Sequence, residues 1–154
     1  MKRILMIAVL LGVAGASAYG QSERVAVVVN PKNAVTNITI ANLREIFQCD
    51  RSSWPNGERI AVFSRMVSTP EHDTMLRSIY RMNESDFHQL LVLKQIRGED
   101  SCRITELPSK GMTMEAVRAY RGAIALVRQS EVTPDMKVIT VGGKKPEDRD
   151  YPLQ

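Results

Sequence analysis

The residues best placed to do chemistry lie between Ser64 and Thr69. Arg65 offers a guanidinium that can grip a tetrahedral oxyanion through two parallel hydrogen bonds. Ser68 and Thr69 add hydroxyl donors, and Pro70 behind them completes a helix-start signal, because proline is tolerated in the first turn. The segment therefore joins the C-terminal end of a strand to a helix N-terminus, where ligands collect in open α/β sheets. Free N–H groups and the helix dipole favour an anion there. A plainer account competes with this one: Ser68 or Thr69 merely caps the helix, and Arg65 is solvated.

Other chemistry is harder to find. There is no G-x-S-x-G, no H-E-x-x-H and no phosphate loop, since Gly142-Gly143-Lys144-Lys145 lacks the upstream glycine and the Ser/Thr. The expectation is a protein that is not an enzyme and uses no cofactor. His72 and His88 fall on different predicted helices, each on a solvated face. Met66, Met75, Met82, Met112, Met114 and Met136 could suggest a copper(I) handler, thioether being a soft ligand. Met75 and Met82 sit where core residues belong, so no metal is expected. Cys49 and Cys102 are the two cysteines, with no C-x-x-C spacing or neighbouring His to suggest zinc. In an oxidising compartment they are a candidate disulfide, closing a loop worth roughly 4 kcal/mol in the chain-entropy model. Two free thiols or a metal pair are the alternatives.

These side chains need elements to hold them. Val25 to Val29 is an unbroken apolar, mostly β-branched run ended by Asn30-Pro31, and reads as a buried strand. Thr39 is a plausible N-cap for a helix with Ile40, Leu43, Ile46 and Phe47 on one face. Pro55-Asn56-Gly57 is a turn, and Arg59 to Ser64 a strand. The helix begun at Ser68 to Pro70 carries Met75, Leu76, Ile79 and Tyr80 as its stripe. Ser85 caps a third helix through Phe87, Leu90, Leu91 and Leu93, with Gly98 as its stop. Glu99 to Lys110 reads as a polar connection. Thr113 caps a short helix with Met114, Val117 and Tyr120 inward, and strands follow at Ala123 to Val127 and Lys137 to Val141. The order fits a three-layer α/β domain with a mixed sheet.

Lys2 and Arg3, the uncharged run Ile4 to Gly15 and Ala16-Ser17-Ala18 together form a secretory signal pattern. The apolar run falls short of the ~20 residues a spanning helix needs. The expected organisation is a signal peptide over 1–18, one domain over 19–141 and a loose polar tail over 142–154, in a periplasmic or secreted protein. The chain's net charge is +4, and Lys2 and Arg3 supply two of those charges. Aromatic residues make up 5%, too few for a base-stacking platform, so no nucleic-acid partner is expected.

Val27-Val28-Val29-Asn30-Pro31, Leu43-Arg44-Glu45-Ile46-Phe47, Trp54-Pro55-Asn56-Gly57 and Gly122-Ala123-Ile124 resemble, in order and spacing, small phosphate-binding-protein-like domains of bacteria. Such domains are similar to part of the phosphate ABC-transporter substrate-binding proteins, with the type II periplasmic-binding-protein fold. The likeness runs from about Val25 to Val141. It implies an exported solute-binding role, with phosphate or a similar oxyanion as ligand and a membrane transporter or sensor protein as partner. In that family an Arg followed by a Gly-Ser-Gly-Thr-like turn holds the anion, and Arg65, Ser68 and Thr69 are the matching positions. Both glycines are absent here, Met66 and Val67 preceding Ser68 and Pro70 following Thr69. Cys49 replaces a family Gly, and Ala125-Leu126 replaces Gly-Tyr. The alternative is a protein-interaction or accessory module that keeps the fold without a small-molecule ligand.

Overall fold

The computed structural model describes residues 23–98 and 104–154. The expected signal peptide and Cys102 lie outside the described residues.

Strand β1 (Val25–Val29) is central because both faces of an apolar run must be covered. It pairs antiparallel with β5 (Ala123–Arg128) on one side and with β6 (Lys137–Val141) on the other. Strand β3 (Ala61–Arg65) runs parallel to β5 and to β4 (Ile104–Leu107), and the short β2 (Asn37–Ile38) runs parallel to β6. The result is a mixed six-stranded sheet in the order β2-β6-β1-β5-β3-β4.

Alternation along β1 sorts the two cores. Val25, Val27 and Val29 face one cluster, and Ala26 and Val28 face the other. The first face is covered by α1 (Ile40–Phe47), α2 (Pro70–Thr74) with its π-helical continuation Met75–Tyr80, and α3 (Glu84–Ile96). Leu43, Ile46, Phe47, Met75, Leu76, Ile79, Tyr80 and Phe87 are their buried side chains. The second face is covered by α4 (Lys110–Ala119) through Val117, with Met114 and Ala116 packed beside it. The expected three-layer α/β architecture is the observed one. No described helix is long and apolar enough to cross a membrane.

The caps explain where helices start. The Thr39 hydroxyl accepts from the N–H of Asn42 at 3.1 Å, as expected. For α3 the cap is Asn83 rather than Ser85, its side chain accepting from Asp86 N at 2.9 Å. For α4 it is Ser109 rather than Thr113, which is buried one turn later and donates its hydroxyl to Ser109 O. The π-helical turn ends at Arg81 with φ of 57°, and Arg44 reaches across from α1 to donate to the carbonyl of Ile79 at 3.0 Å. Gly122 admits no side chain: a Cβ there would lie 1.8 Å from the carbonyl oxygen of Arg59.

Several expectations are corrected. Residues 104–107, within the expected polar connection, form β4; as an edge strand it needs little apolar content, and Leu107 alone is buried. Tyr120 points outward rather than inward, 57% exposed, with its ring against Phe63. On α3 only Phe87 is buried, while Leu91, Val92, Leu93 and Ile96 are exposed. The segment 142–154 is not loose. Tyr151 and Leu153 are buried in the first core cluster, and Arg24 donates to the carbonyl of Glu147 at 2.6 Å. Two apolar anchors among many charges are enough to seat it.

Candidate functional site: two strand-end arginines and a buried carboxylate

Arg65 is the last residue of β3, and Arg128 is the last residue of the neighbouring β5. Their strands are parallel with Phe63 opposite Ala125, so both guanidiniums leave the same end of the sheet. Helix α2 starts over that end. Thr69 is its N-cap: the hydroxyl accepts from His72 N at 3.3 Å and donates to Met66 O at 2.9 Å. Pro70 takes the first turn, and Glu71 follows, where the positive end of the helix favours a carboxylate.

Glu71 is only 1% exposed and lies between the two arginines. Its Oε1 is 3.9 Å from Nε of Arg65 and 3.5 Å from Nε of Arg128. Both are ionic contacts that lack hydrogen-bond geometry. Nε and Nη1 of Arg65, Nε of Arg128 and both carboxylate oxygens of Glu71 are buried without a hydrogen-bond partner among the described residues. Arg65 is 8% exposed, and among the described residues no other acid pairs with it. Arg128 is better served, with Glu23 at 3.4 Å and Glu131 in direct contact. Desolvation works against its charge, but Glu131, Glu71 and Glu23 outweigh that and hold it protonated.

The three residues singled out in the sequence thus do different things. Arg65 is buried and faces Glu71. The Thr69 hydroxyl is committed to the cap. Ser68 is exposed, in the left-handed region at φ 67°. Met66 and Val67, both 49% exposed, form the rest of the turn. Glu71 and Arg128 were not found from the sequence. Glu71 reads as an ordinary first-turn acid, and Arg128 as the residue after a strand; the sheet register is what brings them together.

His72 is a correction. It is buried, not solvated, with Nε2 at 2.8 Å from Oε2 of Glu84 and its ring edge-on to Phe87. His88, on the surface, contacts the other oxygen of Glu84 at 3.2 Å. Among the described residues no group of three or more His, Cys, Asp or Glu is arranged to hold a metal ion. Cys49 follows the Gln48 C-cap of α1, in the left-handed region at φ 68°.

The arrangement is an α/β fold built on a mixed six-stranded sheet with helices on both faces. Solved structures of this fold make the comparison specific. An ABC-type phosphate transport receptor from Vibrio cholerae superposes with a TM-score of 0.63 at 19% identity, over 80% of this chain and 48% of that one. A phosphate ABC transporter substrate-binding protein with bound phosphate from Clostridium perfringens gives 0.63 at 15% identity, over 80% and 46%. PstS from Borrelia burgdorferi gives 0.64 at 14%, over 84% and 53%. The chain spans about half the length of these structures, and at such identities the likeness is one of fold. No family model and no curated protein sequence matches the chain.

Proposed function

We propose that this chain is an exported, non-enzymatic accessory module that keeps the solute-binding fold and works by docking to a protein. The observation that carries this is Glu71. A carboxylate sealed between Arg65 and Arg128 supplies the negative charge that a bound oxyanion would otherwise bring. A second anion would have to approach a group of like charge in a poorly solvated place, which is unfavourable. The turn above it points the same way, since it presents the apolar side chains of Met66 and Val67 instead of a bare backbone. Exposed Leu91, Val92, Leu93 and Ile96 on α3 add apolar surface of the kind that marks protein contacts. A membrane transporter or sensor would be a fitting partner, in the periplasm or outside the cell, after removal of residues 1–18.

A second reading keeps phosphate or a similar oxyanion as ligand of Arg65, Ser68 and Thr69. Its support is the buried, unpartnered Nη1 of Arg65, together with the bound phosphate in the Clostridium perfringens structure. A thermal-shift series on the mature protein separates the two. Ligand at a hundred times its dissociation constant stabilises by about 2.7 kcal/mol. The docking reading expects phosphate, sulfate and molybdate to act no differently from chloride at equal ionic strength. A rise specific to one of them would replace it with the oxyanion reading.

A further inference from the structure

We propose that Arg65 and Arg128 form an anion site of which Glu71 is the built-in occupant, so that removing the Glu71 carboxylate turns the site into a receptor for small free oxyanions. The inference rests on the docking reading in one respect: it takes the intact chain to exclude phosphate. Three features set this cluster apart from an ordinary ion pair. The two cations come from neighbouring parallel strands and leave the same end of the sheet, so they converge from fixed positions. The single carboxylate serves both at 3.9 and 3.5 Å and completes a hydrogen bond with neither. Arg65, with two buried guanidinium nitrogens unpartnered, has Glu71 as its only ion-pair partner among the described residues.

An arginine in this setting is costly without an anion and indifferent to which covalent chain carries it. Truncating Glu71 to alanine removes the charge and opens the volume of a carboxymethyl group beside both guanidiniums. Formate and acetate match the group removed. Inorganic phosphate, with more oxygens, can also reach the nitrogens that Glu71 leaves unbonded. The occupant class is therefore a small oxyanion with at least two coplanar or tetrahedral oxygens, and halide does not substitute for it.

The test compares wild type, E71A, E71Q and the double variant R65A/E71A by thermal unfolding in formate, acetate, inorganic phosphate or chloride at matched ionic strength. E71A should melt well below wild type and recover by roughly 5 °C or more at saturating formate or phosphate, but not in chloride. R65A/E71A should show no such recovery. It should also melt above E71A, because the unpaired cation is gone. Should E71A fail to fold in chloride, refolding it in formate is the same test, and E71Q, which keeps the volume, should respond to phosphate more weakly. Folded E71A and E71Q that ignore every oxyanion would overturn the proposal while leaving the docking reading intact. Wild type that binds phosphate with Glu71 in place would overturn both.

Discussion

A guanidinium sealed from water is stable only beside an anion, and the same economy of polar groups governs the other buried side chains. Trp54 is 4% exposed, and its indole N–H donates to the carbonyl of Gly122 at 3.0 Å. Its emission should therefore be blue-shifted in the native protein and move to the red on addition of denaturant; a solvent-like native maximum would contradict this placement. Tyr80 donates its hydroxyl to the carbonyl of Phe47, and burial, helped by nearby Asp50, pushes its ionisation well above the usual 10.0. The folded state thus holds this proton after the unfolded chain has released it. The stability Tyr80 contributes is complete below pH 10 and is lost progressively as pH rises above it. Tyr80→Phe should cost about 0.5–1.5 kcal/mol at neutral pH and should flatten the alkaline decline, as read from urea midpoints between neutral pH and pH 11. A decline unchanged in slope would assign it elsewhere, Tyr151 being the next tyrosine raised by burial.

Elements follow from runs and caps where those signals are local, and fail to follow where neighbours decide. Leu153 is 1% exposed, near the end of a segment in which six of thirteen residues are charged. Leu153→Ala should cost about 2–5 kcal/mol by denaturant unfolding, whereas a free tail would show no change. The strands β1, β3, β5 and β6 and the helices α1 and α2 were legible because β-branched runs, Thr39 and Thr69-Pro70 act within a few residues. Strand β4 was not, since it borrows its order from pairing with β3. The α3 stripe misled because Leu91, Val92 and Leu93 lie around the helix circumference, leaving Phe87 buried in the core with Leu90 packed partly against it. At the site, Arg65 was legible as the residue ending a strand before a helix. Glu71 and Arg128 become partners only through the parallel register of β3 and β5. The Cys49–Cys102 bond remains a proposal from the oxidising compartment that the signal pattern implies. Non-reducing peptide mapping of the exported protein should find the two cysteines linked, and two alkylatable thiols in native protein would end the idea.

At the scale of the whole molecule, a mixed sheet clothed on both faces presents one end where parallel strands β3 and β5 deliver Arg65 and Arg128, and the chain closes that end with its own Glu71. The arrangement of strands is the one shared with the phosphate receptors, and on the proposed reading the internal carboxylate stands in for an external anion. In the docking role proposed here, the exposed apolar side chains on α3 and on the Met66–Val67 turn are the surface offered to the partner. The decisive property is whether the intact protein takes up phosphate. Equilibrium dialysis of the mature wild-type chain against millimolar radiolabelled phosphate measures that directly. Retention no greater than that of a non-binding control protein is the predicted result. Saturable, stoichiometric retention that Arg65→Ala abolishes would contradict the account and establish the chain as an oxyanion receptor.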